Sequence, residues 1–466
     1  MKSKILFISL AVVLALSFGL VGCTGDPIIE PPDAIQVGLV RDTDGALSVF
    51  ECGYGGSAYR YFVDEINSGG GIDMSTYGEP LDIEITLREF DPLDWPTLTD
   101  ETDKLIDVDE VHFIWGGPGT DCVFTQSLLC NSAAVPLITL EGGASSMIND
   151  GDIDGWPYVW VTLSFSNWNQ ISVLWDIIDA AETEDPKAWV TRIGGPGETH
   201  GLEYLEETES VFWAGNVTDD GAHQYWPPMS PAEADVIVEN AKTALGTPSD
   251  PNYHVACFFT YPWQVFSLMS AVVADGAFNP PAMIFGPGAN GEEFGIVYGT
   301  NCTGVMSFVV AVPSQSAALA DMYAGIADQV ELDWADSSLP ACTQPVYMTE
   351  GEGMLDYWGH PCYIAGLEIW AAAVEDVGHL DAGYAADFND AMKAYTESSP
   401  CPTVLGDTWF TVFGGGYGGG ILAHECHPGE IAQWQGDPVV YEVVGGNDPT
   451  SALTYPMTDL WEYLTP

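Results

Sequence analysis

The sequence predicts an α/β protein built on parallel, doubly wound sheet, and three observations carry that prediction. Apolar runs of strand length alternate with helical stretches along most of the chain. Several of those helices are closed by glycine, and the strand ends are themselves rich in glycine. The 466 residues leave room for two or three domains.

The first unit is legible residue by residue. "IQVGLV" (35–40) is mostly apolar, as in a strand buried on both faces. Tyr59, Phe62, Val63 and Ile66 then fall at i, i+3, i+4 and i+7, one apolar helical face. In "YFVDEINSGGGID" (61–73) the glycines supply the left-handed conformations that stop this helix. "LDIEITL" (81–87) alternates apolar and polar residues, a strand with one wet face. Strand, helix, stop and strand make a βαβ unit. Further strands follow at "VHFIW" (111–115), "VPLITL" (135–140), "AWVTRI" (188–193), "HVACFF" (254–259), "AMIFG" (282–286) and "GVMSFVV" (304–310). "SPAE" (230–233) is a capping box with proline at the first helical position, and Gly246 follows the last apolar residue of that helix. "WQVFSLMSAVVADG" (263–276) and "PCYIAGLEIWAAAVEDVG" (361–378) are helices that end on glycine. "TWFTVFGGG" and "GGGILAHE" predict a hairpin near the end of the chain.

The chain begins with Lys2 and Lys4, an uncharged apolar run and "LVGC" (20–23). This order reads as a secretory signal over 1–22. A cysteine directly after Leu-Val-Gly resembles the bacterial lipobox, which implies a lipid-modified Cys23 as the mature N-terminus. Residues 23–34 are rich in proline and acid and read as a tether. The remainder is expected outside the cytoplasm, held at the membrane only through that lipid.

Asp and Glu number 68 against ten Lys and Arg; without Lys2 and Lys4 eight cations remain, a net charge of −60. Charged residues are only 17% of the chain, so the acidity comes from missing cations. Nucleic acid and anionic membrane surfaces are excluded as partners. A saline habitat would screen the self-repulsion. Nine cysteines follow Cys23 with no C-x-x-C pair, which gives no support to zinc, and outside the cytoplasm disulfides are the default. Cys122 and Cys130, eight apart on one helix and about 12 Å along its axis, are too distant to pair.

Glycine-rich strand ends mark where a ligand would sit: "WGGPGTD" (115–121), "LEGGASS" (140–146), "RIGGPGETHG" (192–201) and "FGPGANG" (285–291). None is followed by G-K-[ST], so no Walker loop is present. The order "IQVGLVRDTDGA … EINSGGGI … LDIEITLREFD … FIWGGPGT … AVPLITLEGGAS … PYVWVT" resembles the type I periplasmic-binding proteins, in particular the leucine/isoleucine/valine-binding group of ABC transporters. "GLEIWAAAVEDVG" and "IAQWQGDPVVYEVV" resemble that family's late helix and final strand pair.

The resemblance implies two Rossmann-like lobes with a ligand cleft between them. Lobe 1 would comprise 35–160 and 312–400, lobe 2 would comprise 161–311 and 401–450, and 451–466 would be a tail. It also implies Gly117, Thr120, Ala144 and Ser145 as carboxylate-binding positions. Glu51 stands where the family often has tyrosine, and His200-Gly201 replaces a Tyr-Gly pair. The acid that commonly meets a ligand's ammonium is missing from "FGPGANG"; Glu51 or Glu141 could replace it. The implied function is capture of a small organic solute, amino-acid-like with an amide or carboxylate head, for delivery to an ABC transporter permease. A sensing receptor of the same fold and an extracellular hydrolase are the alternatives. No G-x-S-x-G or H-E-x-x-H spacing occurs, and no enzyme is expected.

Other residues carry chemistry of their own. Arg41 and Arg192 lie at strand ends and would either bind an anion or form structural ion pairs. Tyr261 and Trp263, between strand and helix, would line a cleft. "DGDIDG" puts Asp150, Asp152 and Asp154 at positions 1, 3 and 5 of a calcium loop with Gly155 at 6, but position 12 is Val161, not glutamate. A structural calcium is the one cofactor the sequence suggests. His424, Cys426 and His427 form a second candidate metal group, with a disulfide at Cys426 as the alternative.

The charge balance has a measurable consequence. The Debye length falls from about 10 Å at 0.1 M salt to about 3 Å at 1 M. The melting temperature is expected to rise steeply with sodium chloride over that range, and a flat response would count against the saline-habitat reading.

Overall fold

The computed structural model describes residues 31–452 apart from 44, 46, 49, 52–54, 141–155, 163–165, 183–184, 195–199, 225–228, 248–249, 261, 277, 279, 287, 337–354, 413–419, 425–429, 437–439 and 446–448. The main-sheet strands, in chain order, are β1 (Ile35–Arg41), β2 (Ile83–Glu89), β3 (Phe113–Trp115), β4 (Leu137–Thr139) and β5 (Val159–Val161). They continue with β6 (Ala188–Gly194), β7 (Val217–Gln224), β8 (Val255–Phe259), β9 (Met283–Gly286) and β10 (Met306–Val309). The last are β11 (Cys401–Thr403), β12 (Gly406–Val412), β13 (Gly420–His424), β14 (Glu430–Gln435) and β15 (Val440–Gly445).

These strands form two sheets of the same design. In the first, the order is β11-β12-β13-β5-β4-β3-β1-β2, and β2 through β5 are parallel. In the second, the order is β15-β14-β10-β9-β8-β6-β7, with β7 through β10 parallel. Taken lobe by lobe, each has its first five strands in the order 2-1-3-4-5.

Helices cover both faces of each sheet. In lobe 1, α1 (Gly55–Ser68) lies on the side of Val37, Leu39, Phe113 and Trp115, and α2 (Pro96–Asp107) and α3 (Thr120–Ala133) pack against Val40, Ile114 and Leu137 on the other. In lobe 2, α4 (Ser166–Ala181) and α5 (His200–Val211) cover Val190, Cys257 and Phe259. There, α6 (Pro231–Leu245) and α7 (Pro262–Asp275) cover Trp189 and Phe258. A short α8 (Glu292–Tyr298) follows β9. The chain then returns to lobe 1 with α9 (Ala317–Ala335), α10 (Gly359–Val377) and α11 (Tyr384–Ala394). Among the described residues no helix is long and apolar enough to cross a membrane.

The glycine stop after α1 is built as the sequence predicts. Gly70 and Gly71 have φ of +108° and +86°, and the Gly71 N–H donates to the Ile66 carbonyl at 3.0 Å. A Cβ on Gly71 would lie 2.6 Å from the Leu81 carbonyl oxygen, so glycine is required there twice over. Asn67 fixes the next strand, since its side chain bonds both the N–H and the carbonyl of Ile83. A small antiparallel ribbon, Ile72–Met74 with Glu79–Leu81, intervenes before β2.

The chain passes between the lobes after β5, after β10 and after β13. The expected division at 400/401 is therefore corrected. The hairpin β12–β13 exists as predicted, yet it joins lobe 1, because Gly420 and Ile421 pair in parallel with Trp160 and Val161 of β5. Lobe 2 receives only β14 and β15 from the end of the chain, through antiparallel pairing of β14 with β10.

The disulfide expectation is also corrected for the described residues. Cys122, Cys130, Cys257, Cys302, Cys362 and Cys401 are buried thiols, none of them in a disulfide. Burial pushes the Cys401 thiol up to about 11, Cys302 to about 12, and Cys130, Cys257 and Cys362 higher still. Little thiolate forms near neutrality, and the thiolate is the reactive species. These six are expected to resist a thiol reagent in the native protein and to react once it is denatured; rapid native labelling, mapped by peptide mass, would contradict the packing.

Candidate functional site

In open α/β sheets a ligand binds beyond the carboxyl ends of the strands, where the order reverses. In lobe 1 that edge is formed by the ends of β1, β3, β4 and β5. Beyond β3, Gly116 continues the ladder by donating to the Ile138 carbonyl at 2.7 Å. The Gly117 N–H donates to Gln126 Oε1 of α3, also at 2.7 Å, and a Cβ at Gly117 would lie 2.9 Å from the Val40 carbonyl oxygen. Gly117 thus allows close packing of two strand ends, and its amide donates to Gln126. Gly119, with φ of +82°, opens α3, whose first residue is Thr120. Its carbonyl accepts the first helical bond, from Val123, so the amides of the first turn point toward the cleft edge. Beyond β5, the Thr162 hydroxyl donates to the Thr139 carbonyl and ties the ends of β4 and β5 together.

Lobe 2 offers a residue the sequence did not single out. Thr260, directly after β8, is buried, and its Oγ1 has no hydrogen-bond partner among the described residues. Its backbone N–H donates to the Gly286 carbonyl at 3.1 Å, which holds the ends of β8 and β9 together. A buried hydroxyl left unsatisfied is costly in a finished core and suits a site that awaits a polar group. The signal was faint, a lone threonine in "FFTYPW". Trp263 is the second residue of α7, immediately beyond this edge.

Arg41 and Glu51 come together, but with each other. Arg41 Nε donates to Glu51 Oε2 at 2.9 Å, and the two residues are 0% and 1% exposed. The other carboxylate oxygen takes Tyr59 Oη at 2.7 Å and Arg60 Nη1 at 2.5 Å, and Arg60 Nε reaches Asp333 of α9 at 2.9 Å. Burial and the Glu51 charge keep the Tyr59 phenol protonated, far above its ordinary range. For Arg41 this is the ion-pair alternative, with Glu51 as its partner in a buried network. Arg192 likewise forks onto Asp219 of the neighbouring strand, at 2.8 and 3.4 Å, the ion-pair alternative for that residue.

Glu141, Ala144, Ser145, Tyr261, Asp150, Asp152, Asp154, Cys23, Cys426 and His427 lie outside the described residues. His424 is the last residue of β13. Among the described residues no group of three His, Cys, Asp or Glu side chains is arranged to hold a metal.

A strap joins the residues after β9 to the segment ahead of α10. Asp356, just ahead of α10, accepts from Asn290 Nδ2 at 2.7 Å and from the Trp358 N–H at 2.9 Å. Backbone bonds run alongside, from Glu292 N to Leu355 O, Tyr357 N to Asn290 O and Val310 N to Tyr357 O. Tyr357 stacks on Tyr441 of β15 at 5.5 Å.

No family model matches the chain, and no curated protein matches it in sequence. Solved structures do. An ABC-transporter solute-binding protein of Rhodopseudomonas palustris, solved with 3,4-dihydroxybenzoic acid, aligns at TM-score 0.63 with 16% identity over 91% of this chain and 99% of its own. The branched-chain amino acid substrate-binding protein LivJ of Streptococcus pneumoniae, solved with isoleucine, aligns at 0.61 with 14% identity over 89% and 100%. A type 1 periplasmic binding protein of Bordetella pertussis aligns at 0.62 with 14% identity over 88% and 100%. The chain has the type I periplasmic-binding fold. The bonds around Asp356 tie the residues after β9 to the segment that leads into α10, so its charge state bears on how firmly these are joined.

Burial raises the Asp356 carboxyl from an ordinary value near 3.8 to about 6. A folded-state value above the unfolded one means that stability is fully present below the lower value, falls as pH rises between the two and stays lost above 6. Glu368 of α10, raised to about 7 by the same cause, adds a slope of the same sign. Ionising Asp356 costs on the order of 3 kcal/mol. Asp356→Asn keeps the acceptor for Asn290 and Trp358. It is expected to raise stability at pH 8 and to flatten the decline between pH 4 and 6 in thermal melts.

Proposed function

We propose that the protein is an extracytoplasmic solute-binding protein, anchored by a lipid on Cys23, that captures a small organic solute and delivers it to an ABC transporter. The observation that carries this reading is the duplicated 2-1-3-4-5 sheet. By analogy with the type I periplasmic-binding fold the carboxyl edges of the two lobes would border a shared cleft, and the three passages between them would permit hinged closure. Neighbours of the same fold are described with isoleucine, benzoate and 4-hydroxybenzoate. By analogy this site would hold a solute with an apolar or aromatic body. Amides at the start of α3, together with the hydroxyls of Thr120, Ser145 and Thr260, would receive its polar head, and Tyr261 and Trp263 would flank the rest.

The test has two arms. Mass spectrometry of the protein purified from its native host is expected to find a small molecule bound one to one and released on unfolding; a reproducibly empty protein that no solute stabilises would sink the reading. For the anchor, the intact mass is expected to show an acylated Cys23, and Cys23→Ala is expected to leave the detergent phase. A protein of unmodified mass would remove the anchor without touching the binding role.

A further inference from the structure

All eight Lys and Arg residues beyond Lys4 are described, and their places decide which charges can meet a ligand. Seven are in ion pairs. Arg41 holds Glu51, Arg60 holds Asp333 and Glu51, Arg88 holds Asp109 at 2.6 Å, and Lys104 holds Glu101. Arg192 holds Asp219 at 2.8 Å, Lys242 holds Asp275 at 2.7 Å, and Lys393 lies 3.9 Å from Asp390. The eighth, Lys187, directly precedes β6, at the amino end of that strand and so at the edge opposite the cleft. Seven of the eight cations are thus already neutralised by a carboxylate, and the eighth lies at the far edge.

We infer that the cleft selects solutes of zero or positive net charge and turns away net anions whose carbon skeletons fit equally well. This rests on the solute-binding reading above and narrows its ligand class. An anion entering the cleft loses water and, among the described residues, meets cations that already hold carboxylates, together with hydroxyls such as that of Thr260. It does so in a protein of net charge −60, whose field is screened over a Debye length of about 8 Å at physiological salt. A neutral amide or a zwitterion meets the same hydrogen-bonding groups without that repulsion. A cation is drawn in by the field. Neighbours of the fold solved with benzoates show that the architecture itself admits anions, so the selection comes from this chain's own charges.

The experiment is calorimetry on the purified mature chain with two charge series of fixed shape. Benzoate, benzamide and benzamidinium form one; 4-methylpentanoate, 4-methylpentanamide and 4-methylpentanamidinium form the other. Each is run at pH 8, where histidine is neutral in its ordinary range, in 0.15 M and 1 M sodium chloride. In any skeleton that binds, the neutral or cationic member is expected to bind at least about tenfold tighter than the anion at 0.15 M, with the gap narrowing at 1 M as the field is screened. An anion that binds as tightly as its own amide overturns the inference while leaving the solute-binding reading intact. If neither series binds, the co-purifying solute decides: a net anion overturns the inference, a neutral or cationic molecule supports it, and no solute at all overturns the solute-binding reading and this inference with it.

Discussion

Lobe 1 depends on one buried carboxylate. Glu51 takes Arg41 from the end of β1 and Tyr59 and Arg60 from α1, and Arg60 passes the connection to Asp333 on α9. Ser57 adds a hydroxyl to the same aspartate at 2.7 Å. The network fastens the first segment of the lobe to the segment that returns after the whole second lobe has been traversed. Removing one partner from such a group commonly costs 3–5 kcal/mol, because it strands a buried charge. With so few cations available, the chain places two of its arginines here, which shows how much this junction constrains.

The strands and most helices were legible because their signals are local. The apolar runs at 188–193, 254–259 and 282–286 are buried strands within a residue of where periodicity puts them. The capping box at Ser230 is real, with Glu233 accepting from the Ser230 N–H at 2.8 Å. Some strands were not legible, β7 the longest of them. β7, "VTDDGAHQ", lies at the edge of its sheet, and its acids, glycine and histidine are poor strand formers. An edge tolerates them, and charge there discourages pairing with another chain.

The site was harder to read than the fold, for a physical reason. A charged residue at a strand end looks the same in sequence whether its partner is a ligand or a side chain hundreds of positions away. Arg60 on α1 likewise finds its partner far away, in Asp333 on α9, and nothing local to "AYRYF" announces it. The hairpin of β12 and β13 posed the same difficulty on a larger scale. Its own pattern gives the turn and the alternation, while the sheet it joins is fixed by two parallel pairings with β5. Thr260 was overlooked because an unsatisfied hydroxyl is a property of surroundings, not of residue type.

The passage of β13 back into lobe 1 has a kinetic consequence. During synthesis β5 emerges with one edge unpaired, and its partner follows only after all five parallel strands of lobe 2 have been made. Such distant pairings make folding slow and late, since the loop between them must be closed before the contact repays it. Meanwhile the bare edge of β5 is a template for the wrong strand. Lobe 2 awaits only the short antiparallel pair β14–β15. The two halves of the molecule are therefore unequal in time, and lobe 1, begun first, cannot complete its sheet until β13 has been made.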